Sequence, residues 1–209
     1  PWGKGFPGWH LECSVMSTKY LGEEFDIHGG GMDLKFPHHE CELAQNTACS
    51  GHSHSVKYWL HSNMLTLNGE KMSKSTGQFF LPKQIFEGTT ELLEKAYNPM
   101  VVRFAMMQCH YRSTMDLSND ALLAAEKGLT RLKNGLEAID SLKEGEESFF
   151  DINSIEVSFK SAMDDDFNTP VLVANLFDVV KQINSAIKEE KLISKNNREA
   201  LKSLFDVYL

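Results

Sequence analysis

The side chains best suited to metal chemistry lie in two short segments near the start of the chain. Residues 36–42 read FPHHECE and place His38 and Glu42 four positions apart. On a helix this spacing puts both side chains on one face, where they can bind one ion. Cys13 lies on a preceding predicted helix and can add a thiolate. Thiolate, imidazole and carboxylate are all zinc ligands, and three protein ligands with one open position are typical of a catalytic zinc site.

The sequence alone leaves the choice of ligands open. His39 and Glu40 lie in the same segment and compete for the ion. A histidine and a glutamate four residues apart are also common as an exposed polar pair, so a short motif of this kind is weak evidence by itself. The neighbouring motifs therefore decide the interpretation.

A run of glycines, Gly29, Gly30 and Gly31, follows a predicted strand and precedes a predicted helix. At such a place a positive φ, or the close approach of the backbone to a ligand, requires glycine. Successive backbone N–H groups can bind an anion or a nucleotide there, and Asp33 can accept hydrogen bonds from ribose hydroxyls. An ordinary tight turn would explain the glycines equally well.

The most specific motif is the KMSKS sequence of residues 71–75. Two lysines flanked by hydroxyl groups on a loop supply positive charge and hydrogen-bond donors for a triphosphate. An exposed loop with two lysines is the alternative, but a chance match at all five positions is rare. The segment is therefore predicted to bind a triphosphate, and the resemblance given below implies that Lys71 and Lys74 are the catalytic residues.

The elements that position these motifs alternate between helix and strand up to about residue 80. Apolar spacing predicts a helix over 9–21, a strand over 25–28 and a second strand over 56–60. A helix is predicted to start at Pro37, because proline suits the first helical position. A strand, a glycine loop, a helix and a strand form a βαβ unit, which favours a parallel sheet with its ligand at the carboxyl ends of the strands.

The later part of the chain is predicted to be helical, after a hairpin at Asn68-Gly69. One helix starts near Pro99, another follows an N-cap at Ser118, and a third follows Thr169 as its N-cap. Apolar residues in the second of these recur at intervals of three and four, which is typical of antiparallel helix packing. These residues are Leu122, Ala125, Leu129, Leu132, Leu136 and Ile139.

The predicted fold is an α/β Rossmann-like half-domain with a parallel sheet, followed by an all-α helical bundle. We place the α/β part at residues 1–80, a connector at 81–117 and the bundle at 118–209. The chain begins with Pro1 rather than Met, and we expect it to be a fragment of a longer protein.

The composition excludes several classes of protein. With 209 residues, 42% hydrophobic and 24% charged, the chain is not of a disordered, collagen-like or disulfide-scaffold type. No apolar run is long enough to span a bilayer and no signal-peptide pattern is present, so we expect a cytoplasmic protein that does not bind membranes. The formal net charge of −8 is not the footprint of a nucleic-acid-binding surface, which needs clustered positive charge.

The KMSKS segment resembles the signature of class I aminoacyl-tRNA synthetases, whose sheet is of the Rossmann type. Further segments narrow the resemblance to the cysteinyl-tRNA synthetase family, and together they cover nearly the whole chain. These segments are residues 7–14 (PGWHLECS), 26–34 (DIHGGGMDL), 36–40 (FPHHE), 110–113 (HYRS) and 164–170 (DDDFNTP).

The resemblance implies a role for individual residues of this chain. Three of the family's four zinc ligands correspond to Cys13, His38 and Glu42. Trp9 corresponds to the aromatic residue that covers the bound cysteine, and His28 falls at the floor of the same site. The resemblance also implies contacts to ATP by a further set of residues, which are Gly29, Gly30, Gly31, Asp33 and Lys74.

This sequence departs from the family pattern at two positions, and we expect it to be incomplete at its start. Cys41 replaces an asparagine between the two acidic residues, and Gln78 replaces an asparagine after the signature loop. The family's first zinc cysteine and its HIGH motif are expected upstream of Pro1. We therefore expect the fragment alone to be inactive.

The resemblance implies ATP-dependent activation of L-cysteine to cysteinyl adenylate, followed by transfer to tRNA(Cys). It implies one Zn²⁺ per chain, ATP with Mg²⁺ as a substrate, and a monomer. The first alternative is the related cysteine ligase of mycothiol synthesis, which couples cysteine to an amino-sugar. The second alternative is a non-catalytic RNA-binding or assembly module derived from a synthetase.

Overall fold

The computed structural model describes residues 3–51, 55–72, 79–146 and 148–209. The chain forms two compact units. Unit 1 comprises Pro1–Met64 with Tyr111–Thr114, and unit 2 comprises Leu65–His110 with Met115–Leu209. The boundaries predicted at residues 80 and 117 divide the chain by expected function and not by compact unit. They stay a prediction.

Unit 1 contains the predicted βαβ arrangement. Its elements are helix α1 (Trp9–Leu21), strand β1 (Phe25–Gly31), helix α2 (Glu40–Ser50) and strand β2 (Val56–Ser62). The strands β1 and β2 are parallel, and His28 pairs with Trp59 while Gly30 pairs with His61. The predicted helix over 9–21 and the predicted parallel pairing are confirmed.

One detail of unit 1 differs from the sequence predictions. The glycines do not form a loop, because β1 extends to Gly31 and all three glycines of this run avoid positive φ. The predicted start of a helix at Pro37 is confirmed. Phe36 is extended, with φ −135° and ψ 133°, as expected for a residue that precedes proline, and it is the one residue of Lys35–His39 without helical φ and ψ. Helical backbone therefore resumes at Pro37 and continues into the regular helix α2, which begins at Glu40.

Unit 2 begins with the predicted hairpin. Strand β3 (Leu65–Leu67) pairs antiparallel with β4 (Glu70–Lys71), and β3 also pairs parallel with β5 (Met115–Asp116). Both turn residues have positive φ, 51° at Asn68 and 80° at Gly69, as a two-residue hairpin turn requires.

The carboxylate of Asp116 fixes this hairpin. Its Oδ1 accepts a hydrogen bond of 2.8 Å from Thr66 Oγ1 and one of 2.7 Å from the backbone N–H of Gly69. The turn is thereby attached to a strand that lies far along the chain. Lys71, the first residue of the KMSKS segment, ends this hairpin.

The rest of unit 2 is mainly helical, as predicted. Its helices are α3 (Pro82–Glu87), α4 (Pro99–Met107), α5 (Asn119–Ala138), α6 (Ile152–Asp164), α7 (Thr169–Lys188) and α8 (Lys195–Tyr208), and the short strands β6 (Lys143–Glu144) and β7 (Leu192–Ile193) pair in parallel. Ser118 caps α5 as predicted, by accepting from the N–H of Ala121. Asn168, rather than Thr169, caps α7 because its side chain accepts from the N–H of Val171.

Within the described ranges, no helix combines the length and apolarity that a membrane span requires.

The core of unit 2 depends on close packing between α5 and α7. Leu122, Leu132, Leu176 and Ile183 are fully buried on these two helices. At Gly135 the helices approach so closely that an added Cβ would lie 2.4 Å from Cγ2 of Val180 and 2.8 Å from its Cγ1. A short β-branched side chain cannot move away from such a contact as a long flexible one can.

We predict that Gly135→Ala destabilises the chain. Overpacking a core costs about 1–3 kcal/mol, and alanine returns about 1 kcal/mol in helix propensity, so the free energy of unfolding should fall by up to about 2 kcal/mol. Urea unfolding measures this change. Asn134→Ala, at an exposed position of the same helix, is the matched control and should leave stability equal or slightly higher. A more stable Gly135→Ala variant would show that α5 and α7 pack less tightly than described.

Candidate metal centre

The helices α1 and α2 bring the three predicted ligands together. The sulfur of Cys13, a ring nitrogen of His38 and a carboxylate oxygen of Glu42 all lie within 4.8 Å of one another. The two helices are joined beside this cluster, where the Ser14 hydroxyl donates a 2.9 Å hydrogen bond to Oε1 of Gln45. The structure therefore brings Cys13 next to two residues that lie 25 and 29 positions further along the chain.

The carboxylate of Glu42 is almost completely buried, with 2% of the residue exposed. Its Oε1 lies 2.9 Å from Nε2 of His38, and its Oε2 lies 3.5 Å from Nε2 of His28. In the part of the chain that the structure describes, Oε1 makes no hydrogen bond of good geometry. Burial is the main cause that raises the pKa of Glu42, although the nearby histidines act in the opposite direction.

This unsatisfied oxygen fits a bound cation. A buried carboxylate without donors costs free energy, and a metal ion removes that cost by direct coordination. Burial raises the pKa of the Cys13 thiol, and the charges of Glu42 and Glu12 act in the same direction. A coordinating metal reverses this effect, because a thiol bound to it is deprotonated. A set of one sulfur, one nitrogen and one oxygen suits zinc rather than magnesium or calcium.

A second set of potential ligands shares the same carboxylate. His28, His39 and Glu42 also offer ligand atoms that lie within 4.8 Å of one another. His39 is 4% exposed, and its Nδ1 lies 2.8 Å from Nε2 of His61. Burial, followed by the charges of His28, His61 and His38, lowers the pKa of His39 to about 4. His39, which competed with His38 in the sequence, therefore also lies at Glu42, but in a different ligand set.

Sequence reasoning missed Trp59 and His61. The ring of Trp59 lies 4.8 Å from that of His28 and 5.0 Å from that of His39, measured between centroids. Both missed residues lie in β2, two positions apart, so they share one face of the sheet. This alternation was the signal that could have found them, since the same face of β1 carries His28.

The glycine run has a packing role in this cluster. A Cβ on Gly30 would lie 2.7 Å from Cε1 and 3.0 Å from Nε2 of His39. A Cβ on Gly31 would lie 2.4 Å from Oδ1 of Asp33, in the short turn that follows β1. Close approach, rather than positive φ, therefore accounts for glycine at position 30, whereas at position 31 the nearest atom is the end of an exposed side chain that can move. Contacts of Gly29, Gly30, Gly31 and Asp33 to a nucleotide stay a prediction.

The remaining predicted site residues lie in different places. Trp9 is the first residue of α1, one turn before Cys13, and is 71% exposed. Lys71 is exposed at the end of β4, and the following Met72 packs against the core of unit 2. Lys74 lies outside the described residues, as does the rest of the segment 73–78.

Comparison with known proteins gives the family of this chain. Residues 1–127 match the family model described as tRNA synthetases class I (C) catalytic domain, and residues 158–208 match the model of the DALR domain. The protein named cysteine–tRNA ligase in Bacteroides fragilis is 50% identical over 208 residues, which are 100% of this chain and 42% of that protein. The protein of the same name in Cytophaga hutchinsonii is 51% identical, over 98% of this chain and 43% of that protein.

A solved structure supports the fold. The LeuRS of the ternary LeuRS–tRNA–LeuAMS complex from Agrobacterium radiobacter K84 aligns with 85% of this chain and 24% of its own, at a TM-score of 0.59 and 14% identity.

The chain spans about two-fifths of the length of the curated relatives that it matches. Since the family model matches more than half of its residues, the chain belongs to the family of class I (C) tRNA synthetase catalytic domains.

Proposed function

We propose that the chain is part of a cysteine–tRNA ligase, which activates L-cysteine with ATP and transfers it to tRNA(Cys). The observation that supports this most directly is the cluster of Cys13, His38 and Glu42 around a buried carboxylate oxygen that, among the described residues, has no hydrogen bond of good geometry. The printed name of the relatives agrees with this proposal. Because those relatives are longer, the whole reaction belongs to the complete protein.

The metal cluster would select the amino acid. Cys13, His38 and Glu42 would hold the zinc ion, which supplies a soft Lewis acid that takes the substrate thiol as a thiolate. A serine hydroxyl is a harder and much weaker acid, so it gains little from the same position. A pocket that acts by shape alone separates such similar side chains by only about 10²-fold, and a direct metal contact removes the need for editing.

The signature lysines would act on ATP in its Mg²⁺ complex. A carboxylate oxygen of cysteine attacks the α-phosphorus, and the bond from that phosphorus to the bridging oxygen breaks to release pyrophosphate. Lys71 and Lys74 would neutralise the charge that develops on the leaving group, which is the kind of stabilisation that dominates phosphoryl transfer. The 2′- or 3′-hydroxyl at the end of the tRNA then takes the cysteinyl group and releases AMP.

The contacts of the basic residues in unit 2 indicate whether those residues are available to bind tRNA. Two lysines of α7 and the following turn are in ion pairs, Lys181 with Asp178 at 2.7 Å and Lys191 with Glu189 at 3.9 Å. Arg198 donates to the backbone oxygen of Leu142. These cations are therefore engaged within the unit, and we assign them to a solvated face rather than to RNA. A monomeric protein of the cytoplasm is the setting that we propose for the reaction.

The alternatives differ in what accepts the activated cysteine. The mycothiol-type ligase would transfer it to an amino-sugar, and an RNA-binding module would transfer nothing. Assays of the complete protein with tRNA(Cys) and with the amino-sugar separate the first two, and ATP–pyrophosphate exchange identifies the third by its absence.

The first prediction for this function concerns Cys13→Ser in the complete protein. Loss of an outer-shell partner typically lowers metal affinity about 10–100-fold. Loss of a direct ligand should therefore weaken the binding of zinc and of cysteine by more than this. Metal analysis and the Kd for cysteine measure the effect. Cys49→Ser, at an exposed thiol of α2, is the matched control and should change neither quantity. Retained zinc together with unaltered cysteine affinity in Cys13→Ser would rule out the assignment.

The second prediction concerns Lys74→Ala in the complete protein. A charge contact made mainly as pyrophosphate leaves should lower the rate of adenylate formation by about 10²–10³-fold while changing the Kd for cysteine little. Pre-steady-state adenylate formation measures the rate. Lys83→Ala, at an exposed lysine of α3, should leave both quantities unchanged. An unchanged rate with weaker cysteine binding would move Lys74 from ATP chemistry to the amino-acid site.

A further inference from the structure

We propose that Asp116 is a positioning residue for the activation of cysteine, because it fixes the strand end from which Lys71 reaches the triphosphate. This role rests on the function proposed above, in which Lys71 neutralises charge on the leaving pyrophosphate. Asp116 lies 45 positions beyond Lys71 in the chain and has no contact with a substrate in that mechanism. It acts on the reaction only through the place that it gives to this lysine.

Asp116 and Lys71 lie in one row across three strands. Thr66 of β3 pairs in register with Lys71 of β4 on one side and with Asp116 of β5 on the other. Residues that pair in this way point to the same face of a sheet. Side chains of the opposite face pack in the core of unit 2, and they are Leu65, Leu67, Met72, Met115 and Leu117. The side chain of Lys71 therefore points away from that core, and it is exposed.

The carboxylate of Asp116 reaches from β5 to the hairpin turn. Its Oδ1 accepts from Oγ1 of Thr66 at 2.8 Å and from the backbone N–H of Gly69 at 2.7 Å, which are distances typical of hydrogen bonds to an ionised acceptor. The ladder between β3 and β4 ends at the pair of Leu67 with Glu70, so the N–H of Gly69 lies beyond it. Asp116 therefore holds the turn as well as the strand that leads into it.

Strand β4 depends on these bonds because it is short. It consists of Glu70 and Lys71, and among the described residues it forms the edge of the sheet with the order β4-β3-β5. A two-stranded hairpin is only marginally stable by itself. Met72 packs against the core, so loss of the bonds to Asp116 should displace Lys71 rather than unfold the strand. A displacement of about 1 Å can lower the rate of a reaction about 10²-fold.

The effect of Asp116 should be one of position and not of charge. Neighbouring strands lie about 4.8 Å apart, so the backbones of Asp116 and Lys71 are about 10 Å apart, which is about one Debye length at physiological salt. Asparagine keeps an Oδ1 acceptor without the charge, whereas alanine removes both. Asp116→Asn should therefore keep what Asp116→Ala loses.

Pre-steady-state adenylate formation by the complete protein tests the proposal, with the Kd for cysteine and the zinc content measured on the same samples. Asp116→Ala should lower the rate by about 10–10²-fold, and the other two quantities should not change because the metal cluster lies in unit 1. Asp116→Asn should stay within about threefold of the wild-type rate, since a neutral acceptor makes weaker bonds of the same geometry. Asp206→Ala, at an exposed carboxylate of α8, is the matched control and should change none of the three.

A double-mutant cycle with Lys71→Ala identifies the path of the effect. If Asp116 acts through Lys71, Asp116→Ala should change the rate little once residue 71 is alanine, because residues that act as a unit are not additive. A general loss of folded protein would lower the rate by the same factor in both backgrounds.

Three results would overturn the proposal. They are an unchanged rate in Asp116→Ala, an equal loss in Asp116→Ala and Asp116→Asn, and an equal loss with and without Lys71. Each of them leaves the proposed function intact, whereas a complete wild-type protein that forms no cysteinyl adenylate contradicts that function and this role with it. If Asp116→Ala loses zinc or does not fold, Thr66→Val removes one of the two bonds and takes its place, with a smaller expected loss of rate.

Discussion

Glu42 keeps only 2% of its surface exposed, and moving an ionised carboxylate out of water costs several kcal/mol unless a cation or donors replace the solvent. Its neighbours are the imidazoles of His28 and His38 and the thiol of Cys13, none of which carries a permanent positive charge. Burial raises the pKa of the carboxyl for the same reason. The ionised carboxylate of Glu42 is thus costly to bury in the metal-free chain and favourable next to a bound ion. The packing of α1, α2 and the two parallel strands serves to hold that group and its neighbours in place.

Steric constraints on the backbone determine where each ligand lies. The extended Phe36 before Pro37 interrupts the helical backbone, which resumes at Pro37 and so brings His38 next to Glu42, four positions further along. In β1 the missing side chain of Gly30 allows His39 to pack on the strand. Each of these features is a local constraint of proline or glycine, and together they help to place the imidazoles of His28, His38 and His39 around one carboxylate. A substitution that leaves every ligand intact could therefore still displace the cluster.

The sequence predicts most of the helices and strands. It predicts the spacing of the candidate metal ligands better than it predicts which residues contact them. Helix α1, the parallel pair of strands and the hairpin at Asn68-Gly69 follow from local patterns, because periodicity and turn chemistry act over a few residues. The glycine run was misplaced, because Gly30 is required by contact with His39 rather than by φ, and a contact across the fold leaves no local pattern. His61 alternates with Trp59 in β2, but this alternation does not identify its partner. Its hydrogen bond to His39 spans 22 residues and depends on the register of β1 and β2.

The hairpin shows how a long-range contact also positions Lys71. Asn68 and Gly69 set the turn locally, but Asp116 attaches it to β5 through Thr66 and the N–H of Gly69. The end of β4 at Lys71 is therefore fixed by a residue that lies 45 positions further along the chain. The net charge of the chain does not predict this position, because net charge bears on solubility and association, whereas the place of one lysine depends on where its backbone is held.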